Sequence, residues 1–181
     1  KMYGPKGAGL LYVARGVALS PIVFGGGQEK GLRAGTENVS SIIGMKEALS
    51  MSVQIRVDEV KRLSEIQKAT MALLLETFPN ILLNGSLVDR LPNNIHFSFP
   101  DVDHEYLALA LDARGFAVAT KSACSETEAE ISHVLLALRS KGDERPKSGI
   151  RVTMGRSTRM EDMSEFVATL LVIMNTMMGT K

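Results

Sequence analysis

Ile81-Leu82-Leu83-Asn84-Gly85-Ser86-Leu87-Val88-Asp89-Arg90-Leu91-Pro92-Asn93-Asn94-Ile95-His96-Phe97-Ser98-Phe99 carries two short apolar runs joined by a polar connection that holds a glycine and a proline. Short apolar runs bounded by turn residues read as strands, here over 81–83 and 95–99. Downstream the pattern alternates. Residues 103–114 have helical spacing, with Gly115 as the C-terminal stop. Residues 116–119 form a strand candidate, 131–140 a helix and 149–153 a further strand. The last helix opens on Thr158-Arg159-Met160-Glu161, a capping-box pattern, and runs to about residue 178. Strands and helices mixed in this way predict an α/β or α+β layer from residue 81 onward.

Upstream, Pro79-Asn80 stops a long helical region. Apolar residues recur at helical spacing through Ile42, Ile43, Met45 and Leu49, and again through Val57, Val60, Leu63, Ile66, Met71, Leu74 and Leu75. The two patterns predict a long connecting helix with a bend near 50–52. Before it, Gly4-Pro5-Lys6-Gly7 reads as a turn and Gly9-Leu10-Leu11-Tyr12-Val13 as a short buried strand. Residues 16–30 read as a loop centred on Gly25-Gly26-Gly27, and everything before about residue 50 as the edge of a different domain.

Composition bounds the function. The 181 residues are 45% hydrophobic and 23% charged, ordinary for a globular chain with a sizeable core. With 21 basic and 20 acidic residues interspersed, the chain lacks the basic field and the charged tail that mark nucleic-acid binding. The single cysteine excludes an intrachain disulfide framework and a cysteine-rich zinc site, and fits a reducing, cytoplasmic setting. No apolar run approaches the length that spans a bilayer, so no membrane association is expected. The three histidines, His96, His104 and His133, lack metal-ligand spacing, and no metal site is expected. Met160, Met163, Met174, Met177 and Met178 cluster in the last helix, where core filling and a soft contact surface are both open readings.

Several residues have the chemistry of a site. Lys1 stands just before the glycine–proline turn; it is a solvated lysine or an amine held against an electrophilic cofactor. Gly25-Gly26-Gly27-Gln28-Glu29-Lys30-Gly31 permits close backbone approach, but is neither a P-loop nor a dinucleotide fingerprint. Arg33-Ala34-Gly35-Thr36-Glu37-Asn38 precedes the long helix. There a threonine hydroxyl and helix N–H groups can hold an anion, while Thr36 or Asn38 can equally be a plain cap. Cys124, in Ser122-Ala123-Cys124-Ser125, lies between a strand candidate and the acidic run 126–130. It reads as a small buried hydrophobe or as a loop nucleophile acting through its thiolate. Arg151 sits between Ile150 and Val152; its planar fork suits a carboxylate, from a structural ion pair or a ligand.

Taken in order, Lys-Met-Tyr-Gly-Pro-Lys-Gly, Gly-Gly-Gly-Gln-Glu, Arg-Ala-Gly-Thr-Glu-Asn, Leu91-Pro92-Asn93-Asn94, Ser-Ala-Cys-Ser and Ile150-Arg151-Val152-Thr153-Met154-Gly155-Arg156 resemble the C-terminal half of a cysteine desulfurase, from the pyridoxal-phosphate-dependent class V aminotransferases. The resemblance runs from Lys1 to the last helix, and the long segment between Cys124 and Arg151 is similar to the NifS/IscS branch. It implies the C-terminal part of a fold type I transferase of the aspartate aminotransferase kind. Residues 1–50 would be a remnant of the large cofactor-binding domain, 51–78 a connecting helix and 79–181 the small C-terminal α/β domain.

The same resemblance implies roles. Lys1 matches the lysine that carries pyridoxal 5'-phosphate. Thr36 matches the threonine that reaches the cofactor phosphate of the opposite subunit in a homodimer. Cys124 matches the nucleophile that becomes a persulfide, and Arg151 the arginine that grips the carboxylate of L-cysteine. Asn93 and Asn94 receive no role. The products would be L-alanine and a persulfide passed to a sulfur-acceptor protein, either an iron–sulfur scaffold or a thiolation protein. The family places about half of its chain before this lysine, so the isolated chain is expected to be inactive and to expose surface that promotes association. Two alternatives are a selenocysteine lyase, which shares fold and motifs, and a non-catalytic folding or docking fragment.

Overall fold

The computed structural model describes residues 1–120, 132–138 and 149–179. It divides into two compact units, Lys1–Val57 and Asp58–Lys181.

The second unit is built on a three-stranded sheet of β1 (Leu82–Leu83), β2 (Asn94–Ser98) and β3 (Ile150–Thr153) in the order β1-β2-β3. Both pairings are antiparallel. Leu82 faces Ser98 and Leu83 faces Phe97; Ile95, His96 and Phe97 face Val152, Arg151 and Ile150. Because side chains alternate across a strand, Ile95, Phe97, Ile150 and Val152 share one face, while His96, Ser98 and Arg151 share the other. The first face is the core side, and Ile95, Phe97 and Ile150 are fully buried.

Helices fill that side. The long helix α1 (Val39–Thr77) buries Leu63, Ile66 and Leu74 from its later turns. Helix α2 (His104–Asp112) adds Leu107 and Leu111, and the last helix, here α4 (Met160–Gly179), adds Met163, Phe166 and Leu170; α3 (His133–Ala137) lies between them in sequence. Edge-to-face rings tie the layers, Phe97 to Phe99 at 5.6 Å and Phe116 to Phe166 at 5.6 Å. Of the methionines in α4, Met163 and Met174 are core and Met177 packs partly against it, while Met160 is exposed.

Local chemistry explains the helix ends. Asp103 caps α2 by accepting from the N–H groups of Glu105 and Tyr106. Gly115, at φ 88°, ends the following turn, where the N–H of Phe116 donates back to the carbonyl of Leu111. Ser132 caps α3 by accepting from Leu135 N–H.

Four sequence expectations change. Instead of two helices meeting at a bend there is one uninterrupted helix, Val39–Thr77, and at the expected bend the Ser52 hydroxyl donates to the Ala48 carbonyl within it. The capping box at α4 slips by one residue. Arg159 N–H donates to the Asp162 carboxylate at 2.8 Å, whereas the Thr158 hydroxyl accepts from Gly155 N–H. Within 116–119 only Ala119 pairs, as an isolated bridge to Arg151, because the chain leaving α2 reaches β3 at that residue alone. Residues 9–13 form neither a strand nor a buried element; Leu10, Leu11 and Tyr12 are 78%, 77% and 83% exposed. A strand needs a neighbour for its N–H and C=O groups, and among the described residues none pairs with this segment.

No helix among the described residues is long and apolar enough to cross a membrane.

Candidate active site

Two of the sequence-predicted residues, Lys1 and Thr36, belong to the first unit, and Arg151 to the second. Cys124 lies outside the described residues.

In the first unit the segment carrying Lys1 lies along α1. A Cβ on Gly4 would stand 3.0 Å from Ala48 Cβ, and one on Gly44 only 2.7 Å from Pro5 Cγ. Small residues on both sides therefore let Gly4 and Pro5 sit directly against the helix. Tyr3, at φ 60°, occupies the left-handed region that costs a bulky residue energy, so the turn is held by its surroundings. Lys1 is exposed at the start of this segment.

At the start of α1 the two readings of Thr36 and Asn38 separate. Asn38 is the cap: its Oδ1 accepts from Ser41 N–H at 3.2 Å, and its carbonyl accepts from Ile42 N–H. Thr36 is left exposed two residues upstream, after Gly35 at φ 113°. The Gln28 side chain ties in the glycine loop by accepting from Gly35 N–H. The Thr36 hydroxyl thus lies exposed just before a helix start that Asn38 caps.

In the second unit Arg151 is set by its strand. Its N–H donates to the Ala119 carbonyl at 2.7 Å and its carbonyl accepts from Ala119 N–H at 3.1 Å. On the other side it pairs with His96. Burial, then Arg151, Arg90 and His104, push the His96 imidazole down from 6.5 to about 4, so it is neutral at physiological pH. His104 is also held below its ordinary value by burial, against the pull of Asp103, and its Nε2 accepts from Phe99 N–H at 3.0 Å. Arg90 is bound to its own loop, donating to the carbonyls of Ser86, Asn84 and Asn94.

Arg62 of α1 fixes the turn before α4. Its guanidinium takes Glu59 at 2.8 and 2.9 Å and donates to the carbonyls of Gly155 and Thr158. Beside that turn, an open cleft of about 160 Å³ is lined by Phe116, Val118, Met154, Thr158, Asp162 and Phe166, among others.

His96 was legible in the alternation of Ile95-His96-Phe97, which sets it opposite the core face. Its partner was not, because nothing local fixes the register of 94–97 against 150–153. Among the described residues no group of His, Cys, Asp or Glu side chains could hold a metal ion.

Comparisons with known proteins bear on the family and the fold. The family model described as Aminotransferase class-V matches residues 1–166. The chain is 42% identical over 164 residues to a protein named cysteine desulfurase IscS from Dictyoglomus turgidum, covering 91% of this chain and 41% of the relative. It is 38% identical over 169 residues to cysteine desulfurase IscS 1 of Archaeoglobus fulgidus, covering 93% and 44%. The chain thus spans less than half the length of these relatives. Among solved structures, a NifS-like protein superposes with a TM-score of 0.82 at 28% identity, over 97% of this chain and 44% of that one. The NifS-like protein from Rickettsia africae gives 0.75 at 26%, over 88% and 41%. With the family model matching residues 1–166, the chain belongs to the class V aminotransferases, a fold type I family that is pyridoxal-phosphate-dependent in general.

Proposed function

We propose that the chain is the C-terminal part of a cytoplasmic cysteine desulfurase, which takes sulfur from L-cysteine and hands it to an acceptor protein. The observation that carries the reading is 42% identity over 91% of the chain to a protein of that name, together with Lys1, Thr36, Cys124 and Arg151 at the motif positions. In this reading residues 1–50 belong to the large domain, 51–78 connect, and 79–181 form the small domain.

The donor set of the first unit fits pyridoxal 5'-phosphate. Lys1 offers a primary amine to its aldehyde, and the exposed Thr36 hydroxyl beside the Asn38-capped helix start suits a phosphate, which in a homodimer belongs to the partner's cofactor. When bound, the cofactor supplies an electron sink for bond breaking at the amino acid. Arg151 holds the substrate carboxylate through two parallel N–H donors, which removes the orientational cost of reaction. Lys1 moves protons at the substrate carbons as a general base and acid. The Cys124 thiolate attacks the substrate sulfur; an S–S bond forms as the C–S bond breaks, leaving a persulfide and, after protonation, alanine.

The test is incubation with pyridoxal 5'-phosphate, borohydride reduction and intact mass, comparing the chain with Lys1→Ala. A reduced adduct present in the parent and absent in Lys1→Ala is expected. Equal labelling of both overturns the role of Lys1, since the α-amine and other lysines would then account for it.

A further inference from the structure

Arg151 shares its face of the sheet with a histidine to which the proposed chemistry gives no part. The N–H and C=O of Arg151 both engage Ala119, so they point away from β2. The carbonyl of His96 accepts from Asn84 N–H at 2.8 Å, so the His96 backbone points away from β3. His96 and Arg151 are therefore a non-hydrogen-bonded pair of an antiparallel ladder, the geometry in which opposed side chains come closest, with Cβ atoms about 5 Å apart. On the far side of Arg151, among the described residues, its strand neighbour is Ala119, whose side chain is a methyl. On β3's entry, Gly149 leaves room for the imidazole: a Cβ there would lie 3.1 Å from His96 Nε2 and 2.5 Å from Ser98 Oγ.

Among the described residues, the charged or titratable groups acting on His96 are basic: Arg151 from β3, Arg90 from the β1–β2 connection and His104 from α2. Arg90 is spent on three carbonyls and His104 on the Phe99 amide, whereas the Arg151 fork makes no ion pair among the described residues.

We infer that His96 and Arg151 form one carboxylate-recognition unit, in which Arg151 takes the carboxylate of a small amino acid and His96 is the positioning residue that holds the guanidinium in place. This rests on the proposed reading of Arg151 and adds a second member to its site. A neutral imidazole can lie against a guanidinium without repelling it, and a protonated one cannot. A bound carboxylate cancels part of the positive field and lets His96 accept a proton more readily. By reciprocity, protonation of His96 tightens carboxylate binding by the same factor.

Side-chain NMR of protein labelled on histidine and arginine, using the 181-residue chain with L-alanine as probe, tests this. Saturating L-alanine is expected to raise the His96 titration midpoint by about one unit, a roughly tenfold coupling. L-Alaninamide, which lacks the carboxylate, is expected to leave it in place. Arg151→Gln should abolish the response, Arg151→Lys should keep the response with weaker binding, and His96→Gln should weaken binding and remove its pH dependence. The His104 resonance, fixed by the Phe99 amide, reports that each variant is folded. An Arg151 signal that moves with L-alanine while the His96 midpoint stays still overturns the inference. So does a response that survives Arg151→Gln, or no response of either residue. Each of those outcomes leaves the Lys1-dependent cofactor adduct untouched, so a failure here is distinct from a failure of the desulfurase reading.

Discussion

Leu11 and Leu111 are both leucines preceded by an apolar residue, yet Leu11 is 77% exposed and Leu111 is fully buried. The contrast extends to their units. Among the described residues, Ala34 is the only buried apolar side chain of Lys1–Val57, while Asp58–Lys181 holds the whole cluster from Leu63 to Met174. The second unit has three paired strands whose core-side residues meet three helices. In the first, apolar segments such as 9–13 pair with no strand among the described residues. An apolar run becomes structure only when its backbone groups and its side chains both find partners.

The sharpest way to break that contrast is to cut both units in the same manner. Phe97→Ala, at a fully buried ring touching Phe99 and Phe166, should cost about 3–5 kcal/mol in urea unfolding. Leu11→Ala should stay within about 0.5 kcal/mol of the parent. Comparable losses for the two would mean that Leu11 is packed.

Gly149→Ala probes how tightly the sheet is closed. A methyl there would lie 2.5 Å from both the Phe97 carbonyl and Ser98 Oγ, and a β-strand backbone yields little. A loss of about 1–3 kcal/mol is expected from the same unfolding measurement. An unchanged midpoint would show that β3 can shift away from β2.

Acid should act on the second unit through His96. Its folded pKa, about 4, lies below the ordinary 6.5, so the unfolded chain binds the proton first as pH falls. Stability is therefore full above pH 6.5 and declines toward pH 4, by at most about 1.4 kcal/mol per pH unit from this group. His104, also lowered, adds in the same direction. His96→Gln should flatten the decline between these limits, and a decline of the same slope in that variant would remove His96 as its source.

Much of this second unit was legible in sequence because its signals are local. The apolar runs at 81–83 and 95–99, Asp103 before a helix and Gly115 after it each carry their own reason. Strand partners are not local. The antiparallel register joining His96 to Arg151 is set by a residue more than fifty positions away, and the same absence of partner information made 9–13 read as a buried strand. The capping box slipped for a related reason: Arg62, from α1, draws the Gly155 and Thr158 carbonyls to itself, and the Thr158 hydroxyl turns back to Gly155. Of the candidate site, residue types and order were readable, and Asn38 rather than Thr36 as the cap was not.

The smallest effect on stability should come with a visible effect on association. Leu10, Leu11 and Tyr12, with Ile22 at 91% and Phe24 at 81% exposed, present apolar side chains on backbone that has no strand partner among the described residues. Such a segment can add to a second copy through main-chain hydrogen bonds as well as apolar contact. Sedimentation of the chain should therefore show concentration-dependent species larger than a monomer. Leu11→Lys should suppress them, because a charge in an extended segment opposes its pairing with a second copy, while its stability stays within about 0.5 kcal/mol of the parent. A monomer at all concentrations would mean that exposure alone does not make this segment adhesive. A stability loss in Leu11→Lys without a change in association would place Leu11 in a packed environment, and the difference between Leu11 and Leu111 would then be one of degree.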